Sequence, residues 1–328
     1  MELVLNTHGA SLRRDNSRFV ISNTDGKQVL PPDGIKSIVI GRGASISSDA
    51  ALLAIEHGID VVFIDGLGTP LGRLWSVKYG SISDIRRKQL DFSFSPHSVT
   101  WIKDVIARKM DNQMALLFSA VPFDLQDTLN VKGAVNRISD YRKKLMQVEG
   151  FIVSDISASV RGWEGAASKQ YFAVIGSMLP PEFQFTGRTQ HPATDWFNCL
   201  LNYGYGMLYG KVEGALIKAG VDPYIGVLHR DDYNRPVLAY DVIELFRVWI
   251  DYVVIHLSLQ KAFSEDCFST REDGSIWLES LGRRILIQSV NDYLSEVISM
   301  NGLERSRTTH IELYAHGFAR YLLDLKIQ

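Results

Sequence analysis

Thr100–Ala120, TWIKDVIARKMDNQMALLFSA, is where the pattern of the chain changes. Ile102, Val105, Ile106, Met110, Gln113 and Leu117 recur at spacings of three and four, which places them near one face and predicts an amphipathic helix. Upstream, ELVLN, RFVIS, KSIVI, DVVFI and LGRLW are short Val- and Ile-rich runs separated by Gly, Asp, Asn and Pro, which predicts strands from Met1 to about Tyr79. Asn23-Thr24-Asp25-Gly26 carries a hairpin signal, and Pro31-Pro32-Asp33-Gly34 marks a second turn. One helix interrupts the strands: Ser47 and Ser48 precede DAALLAIEH, and Gly58 follows it. Downstream, helices are predicted over residues 134–150, 163–179, 195–220, 238–263 and 280–297, with the proline-containing stretch LPPEFQFTGRTQHPATD as a long loop. The expectation is an α+β protein of two domains: a small β-rich N-terminal domain with one short helix, residues 1–80, and a larger all-α C-terminal domain, residues 81–328.

With 46% hydrophobic and 22% charged residues the chain has globular composition, which excludes a collagenous or largely disordered protein. Its formal charge of −2 removes the argument for nucleic-acid binding from bulk basicity, although a local patch can sit inside a neutral total. Cys199 and Cys267 are too few for a disulfide framework or a four-cysteine zinc site and read as buried thiols. The start, MELVLNTHGASLRR, is not a secretory signal, and VWIDYVVIHLSL is broken by Asp251 and His256, so no membrane span and a cytoplasmic location are expected.

Metal or acid/base chemistry needs converging carboxylates and imidazoles, and three places offer them in apolar surroundings. Glu164 lies in RGWEGAASKQYF between Trp163 and small residues; His229 ends an apolar stretch in PYIGVLHRDD; Asp241 and Glu244 are three apart in VLAYDVIELFR, on one helix face. Each also has a plainer reading. Glu164 suits the first turn of a helix, His229 a core or surface position, and Asp241 and Glu244 a solvated face paired with Arg247. The glycines of GRG at 41–43 and GLGTPLG at 66–72 complete no nucleotide-binding pattern and read as turns; His310 and His316 read as helix surface. Basic residues in DIRRKQ, IARKMDN and YRKKL read as solvated helix faces that could also track phosphates. Arg161 and Arg188, near Glu164 or in the long loop after it, are candidate DNA contacts.

The series RGWEGAASKQYF, LLNYGYGMLYGKVEGALIKAGVDPYIGVLHRDD and RPVLAYDVIELFR resembles the motifs of the CRISPR-associated protein 1 family in order, spacing and wording. GRGASISSDAALLAIEHGIDVVFIDGLGTPLGRL and KMDNQMALL extend the likeness over nearly the whole chain. The resemblance implies Glu164, His229 and Glu244 as catalytic metal ligands, with Asp241 a neighbour and further candidate ligand. Such a set suits Mn²⁺ or Mg²⁺ with positions open to phosphate oxygens and water. One departure is Val248 after Arg247, where the family usually has proline, so the helix is expected to run unbroken through Asp251. The chain begins at its own first strand, which reads as a standalone form.

What the resemblance implies is the adaptation step of CRISPR antiviral defence. A 3′-hydroxyl of a prespacer duplex attacks a phosphodiester of the leader-proximal repeat and displaces another 3′-oxygen, and water in its place gives endonuclease cleavage. It further implies homodimers formed through the N-terminal domain, two of which bracket a dimer of CRISPR-associated protein 2 in a hetero-hexamer on double-stranded DNA. Two other readings are a metal-dependent endonuclease of branched DNA without integration, and a non-catalytic DNA-binding scaffold.

Overall fold

Ser37–Ile40 shows how the N-terminal part is built: Ile38 and Ile40 are buried, while Ser37 and Val39 are only partly so, the alternation of a strand with one face on a core. In the computed structural model the described residues are 1–24, 26–66, 68, 70–74, 82–189, 192–229 and 235–325. They form two compact units, Met1–Gly80 and Ser81–Gln328.

The first unit holds β1 (Glu2–Leu5), β2 (Ser11–Asp15), β3 (Arg18–Asn23), β4 (Gly26–Leu30), β5 (Ser37–Ile40), β6 (Ser45–Ile46), α1 (Ser48–Glu56), β7 (Asp60–Ile64) and β8 (Pro70–Leu74). β1, β5 and β7 are parallel, with β8 antiparallel at the edge; β4, β3 and β2 form an antiparallel meander that β6 extends by a parallel pair. Ser47 caps α1 by accepting from Ala50 N at 3.2 Å, and Gly58 follows at φ +65°, as the sequence predicts. β3 and β4 pair as a hairpin, though its turn residue Asp25 lies outside the described residues, as do Leu67 and Thr69 of the second glycine-rich stretch. Leu5, Leu12, Phe19, Ile38, Ile40, Leu53 and Val61 make the core of this unit. β2, β4 and β6 were not expected; SLRRD and GKQVL are mostly solvent-exposed, so no apolar alternation announces them.

The second unit contains α2 (Ile82–Ser93), α3 (Pro96–Ala120), α4 (Val131–Gln147), α5 (Val153–Met178), α6 (Trp196–Lys218), α7 (Val237–Ile243), α8 (Arg247–Leu259), β9 (Phe268–Thr270), β10 (Ile276–Leu278), α9 (Ser280–Ser295), β11 (Val297–Met300), β12 (Leu303–Ser306) and α10 (Arg307–Asp324). All six predicted-face residues of the 100–120 stretch are buried, five of them in the main hydrophobic core and Gln113 as a buried polar group. The unit is helical but not all-α: β9 pairs with β10 and β11 with β12 as two short hairpins. α5 begins ten residues before its predicted start because VSDISASVRG, rich in small and β-branched residues, hides a helix that its buried Val153, Ile156 and Val160 stabilise through packing. Residues 179–195 hold one 3₁₀ turn, Pro181–Phe183, and otherwise no regular element among those described.

The expected single helix over 238–263 is two. Leu245 N bonds back to Val242 O and Phe246 N to Ile243 O, three-residue spacings that tighten the chain into a turn at 244–246. Asn112 Nδ2 of α3 donates to Leu245 O at 3.1 Å, holding a carbonyl at this turn from outside. No proline is needed, because a side chain from the neighbouring helix meets the carbonyl at the break.

Candidate metal centre in the helical unit

Four segments bring the predicted residues to one cleft of about 990 Å³, lined among others by Lys109, Glu164, Ser168, His229, Glu244 and Arg247. Glu164 is the twelfth residue of α5, not in its first turn, so the dipole reading falls away. Its Oε1 accepts from Ser168 Oγ at 3.1 Å one turn on, and from Lys109 Nζ. Glu244 stands at the break between α7 and α8, only 6% exposed, with Arg247 Nε 3.0 Å from Oε1 and Lys109 Nζ 2.6 Å from Oε2. Burial pushes the Glu244 carboxyl up, but Arg247 and Lys109 outweigh it and hold it below the usual glutamate value.

His229 is placed by Asp241. The buried carboxylate accepts from Val227 N at 2.8 Å, Leu228 N at 3.1 Å and His229 N at 3.3 Å, and pairs with His229 Nδ1 at 2.7 Å. Gly226 begins this turn, and a Cβ there would lie 2.4 Å from His229 O, so only glycine lets the strand of backbone fold so tightly. Burial lowers the His229 pKa, while the hydrogen bond and charge of Asp241 and the charge of Glu244 more than offset it. Nδ1 being occupied, Nε2 is the nitrogen the ring offers. Asp241, fully buried and engaged on both oxygens, orients the imidazole; the solvated-face reading for Asp241 and Glu244 does not hold.

The sequence-based reading missed Lys109. It falls within the basic cluster IARKMDN, expected as a solvated face, yet it is 8% exposed. The signal was present: Lys109 is four residues after Val105 and three after Ile106, on the buried stripe itself. Its neighbour Arg108 does face solvent and pairs with Asp104, Arg86 and Arg87 of DIRRKQ and Lys143 and Lys144 of YRKKL are exposed, and Arg142 is half-buried against Asp111. Arg161 is exposed and donates to Leu228 O at 2.7 Å, bracing the His229 turn. Arg188 donates to Asn198 Oδ1 at 2.8 Å and Asn202 Oδ1 at 2.6 Å and lies over the Tyr205 ring, so its guanidinium fixes the long loop as a cleft wall. His310 is buried beside Ile298 O, against the surface reading, whereas His316 is exposed. Cys199 and Cys267 are buried thiols, and burial pushes Cys199 up to about 12.

At the cleft floor Asp251 accepts from Tyr171 and Tyr205 hydroxyls. Burial raises its pKa to about 6 despite those bonds and the nearby Arg247 and Arg188. The folded state therefore binds the extra proton between the unfolded aspartate value and about 6, and Asp251 costs stability as pH rises through that window. Relative to wild type, Asp251→Asn is expected to become more stable by about 2–3 kcal/mol between pH 4 and pH 7, read from urea unfolding at each pH; a pH-independent difference would contradict this.

Among the described residues no three His, Cys, Asp or Glu side chains stand together as a ready metal cluster. The donor set nonetheless fits a divalent cation in kind. Two carboxylates already converge on one positive charge, the Lys109 ammonium, and Glu244 Oε2 is buried with no hydrogen-bond donor aligned to it. His229 lines the same cleft.

The molecule is thus an α+β protein whose helical unit presents a carboxylate, imidazole and carboxylate to one cleft. The sequence model described as "CRISPR associated protein Cas1" matches residues 3–292, and the chain belongs to that family. "CRISPR-associated endonuclease Cas1 1" of Archaeoglobus fulgidus is 31% identical, with 98% of this chain and 96% of that protein covered. Two solved structures share the fold. A casposase bound to integration product has TM-score 0.84 at 23% identity, over 100% of this chain and 92% of the other. A CAS1 protein from Thermotoga maritima has TM-score 0.82 at 19% identity, over 100% and 98%. No helix among the described residues is long and apolar enough to cross a membrane.

Proposed function

We propose that the cleft is the active site of a divalent-metal-dependent DNA integrase and endonuclease of CRISPR adaptation. The observation that carries this is the convergence of Glu164 and Glu244 on a single cation beside an imidazole that Asp241 has fixed. Glu164, Glu244 and His229 Nε2 would hold Mn²⁺ or Mg²⁺. When bound, such an ion supplies Lewis-acid stabilisation to a phosphodiester under attack.

The chain's own residues supply position and charge. The Asp241 bonds hold the His229 ring in one orientation, so no rotamer search is left for the moment of reaction. Arg247 pairs with Oε1 of Glu244 and, with Lys109 on Oε2, keeps the carboxylate ionised. In the transfer, the attacking 3′-oxygen loses its proton and forms the new P–O bond, and the displaced 3′-oxygen leaves and is protonated; water as nucleophile gives cleavage. One P–O bond forms as another breaks, so the same site runs the reverse reaction on branched DNA. Lys169, exposed on the cleft rim, and Arg161 are the phosphate contacts we assign, whereas Arg188 shapes the wall. Short prespacer duplexes and the leader-repeat DNA are the substrates. A homodimer through the β-rich unit, joined to a dimer of CRISPR-associated protein 2 in a hetero-hexamer, is the working assembly.

Branched DNA with one labelled strand, incubated with purified protein and Mn²⁺, Mg²⁺ or EDTA, tests this reading. Metal-dependent rejoining of the labelled strand is expected, weakening as salt rises and phosphate contacts are screened. Cleavage without rejoining would leave an endonuclease acting on branched DNA, and binding without any reaction would leave a scaffold.

A further inference from the structure

Lys109 is a buried lysine whose ammonium, among the described residues, has no partner besides Glu164 and Glu244. Among the described residues no backbone carbonyl anchors it. Arg188 differs, since two side-chain amides and the Thr189 carbonyl hold its guanidinium. Lys109 also lines the cleft, so the space into which its flexible stem could swing is the cavity itself.

We propose that Lys109 is a tethered placeholder for the divalent cation: it keeps Glu164 and Glu244 together before metal binds, and the metal must displace its ammonium to enter. The proposal rests on reading Glu164, His229 and Glu244 as the metal ligands.

Charge balance carries the argument. Glu164 and Glu244 bring two negative charges, and Lys109 and Arg247 bring two positive ones, so this four-group cluster is balanced without metal. Without Lys109, Glu164 would face Glu244 with one carboxylate uncompensated, and the two would repel and splay. With Lys109 in place, a divalent ion sharing the same oxygens would lie within a few ångströms of an ammonium in a partly desolvated cleft, where like charges repel strongly. Arg247 is not the competitor, because it addresses Oε1 of Glu244 while Lys109 addresses Oε2. The arrangement trades metal affinity for a donor set assembled in advance.

Mn²⁺ binding, followed by loss of the free-ion electron paramagnetic resonance signal on titrating the full-length protein, separates this role from a structural one. Lys109→Gln is expected to bind Mn²⁺ about tenfold more tightly than wild type, the size of change that removing one neighbouring like charge produces. Lys109→Arg, which keeps the charge, is expected not to tighten. Lys109→Gln should also melt several degrees lower without metal, with saturating Mn²⁺ closing much of the gap. Should Lys109→Gln not fold, a wild-type crystal grown with Mn²⁺ decides: the ammonium must have left the two carboxylates. If Lys109→Gln binds Mn²⁺ no better than wild type, or the crystal shows lysine and metal together on both carboxylates, the placeholder role is overturned while the metal reading stands. If neither wild type nor Lys109→Gln binds Mn²⁺, the metal reading fails and takes the placeholder with it. Binding by Lys109→Gln alone would support displacement most directly.

Discussion

Glu244→Gln is expected to lose strand rejoining on branched DNA by about a thousand-fold or more, the equivalent of about 4 kcal/mol of transition-state stabilisation. The same loss is expected of Glu164→Gln and His229→Ala, since each removes one donor from the proposed set. The variants should part company in stability. Glu244 is almost fully buried and pairs with both Lys109 and Arg247, so the amide leaves the half-buried Arg247 without its paired carboxylate and Lys109 with Glu164 alone, a defect of about 3 kcal/mol or more. The Glu164 side chain is more open, at 27% exposed, and shares its partner with Glu244, so Glu164→Gln should unfold close to wild type. Rejoining rates at saturating Mn²⁺, read beside urea unfolding curves, check both halves. Wild-type activity in Glu164→Gln or His229→Ala would remove the residue concerned from the site, and a thousand-fold loss confined to Glu244→Gln would trace that loss to unfolding rather than to ligation.

The contrast between what the chain announces and what it hides has a common cause. Strands such as KSIVI and the helix at 100–120 bury an apolar face, and periodicity reports burial directly. Strands β2 and β4 and the hairpin β11–β12 are held mainly by backbone pairing with exposed side chains, so they leave no such trace. The break between α7 and α8 is invisible for a related reason: the group that meets Leu245 O is Asn112, 133 positions away. At the site, the three donors were nameable because their surroundings repeat a family's wording, whereas the bonds that orient them belong to tertiary structure. Lys109 stood in the quoted KMDNQMALL, and the stripe around it already placed it inside; what the sequence could not say was which carboxylates it meets there.

Asp241→Asn is the second large effect, and it tests orientation rather than ligation. The carboxylate accepts from three successive backbone N–H groups and from the His229 ring, four donors on two acceptor oxygens. An asparagine keeps one acceptor and turns an NH₂ toward donors, stranding one or two buried N–H groups at about 1–3 kcal/mol each. The turn that carries His229 should loosen, with rejoining falling about a hundred-fold although no proposed ligand is touched. Gly226→Ala attacks the same turn sterically, because its Cβ would stand 2.4 Å from His229 O and 2.7 Å from a Val237 methyl, and backbone must shift to admit it. Both substitutions act through one loop, so their effects should not add: the double variant is expected to lose little more rejoining than the worse single one. Measured rates for the two single variants and the double variant decide this. Full additivity would mean that Asp241 reaches the reaction by a route other than the His229 turn, and wild-type rejoining in Asp241→Asn would show that the ring needs no such partner to be held.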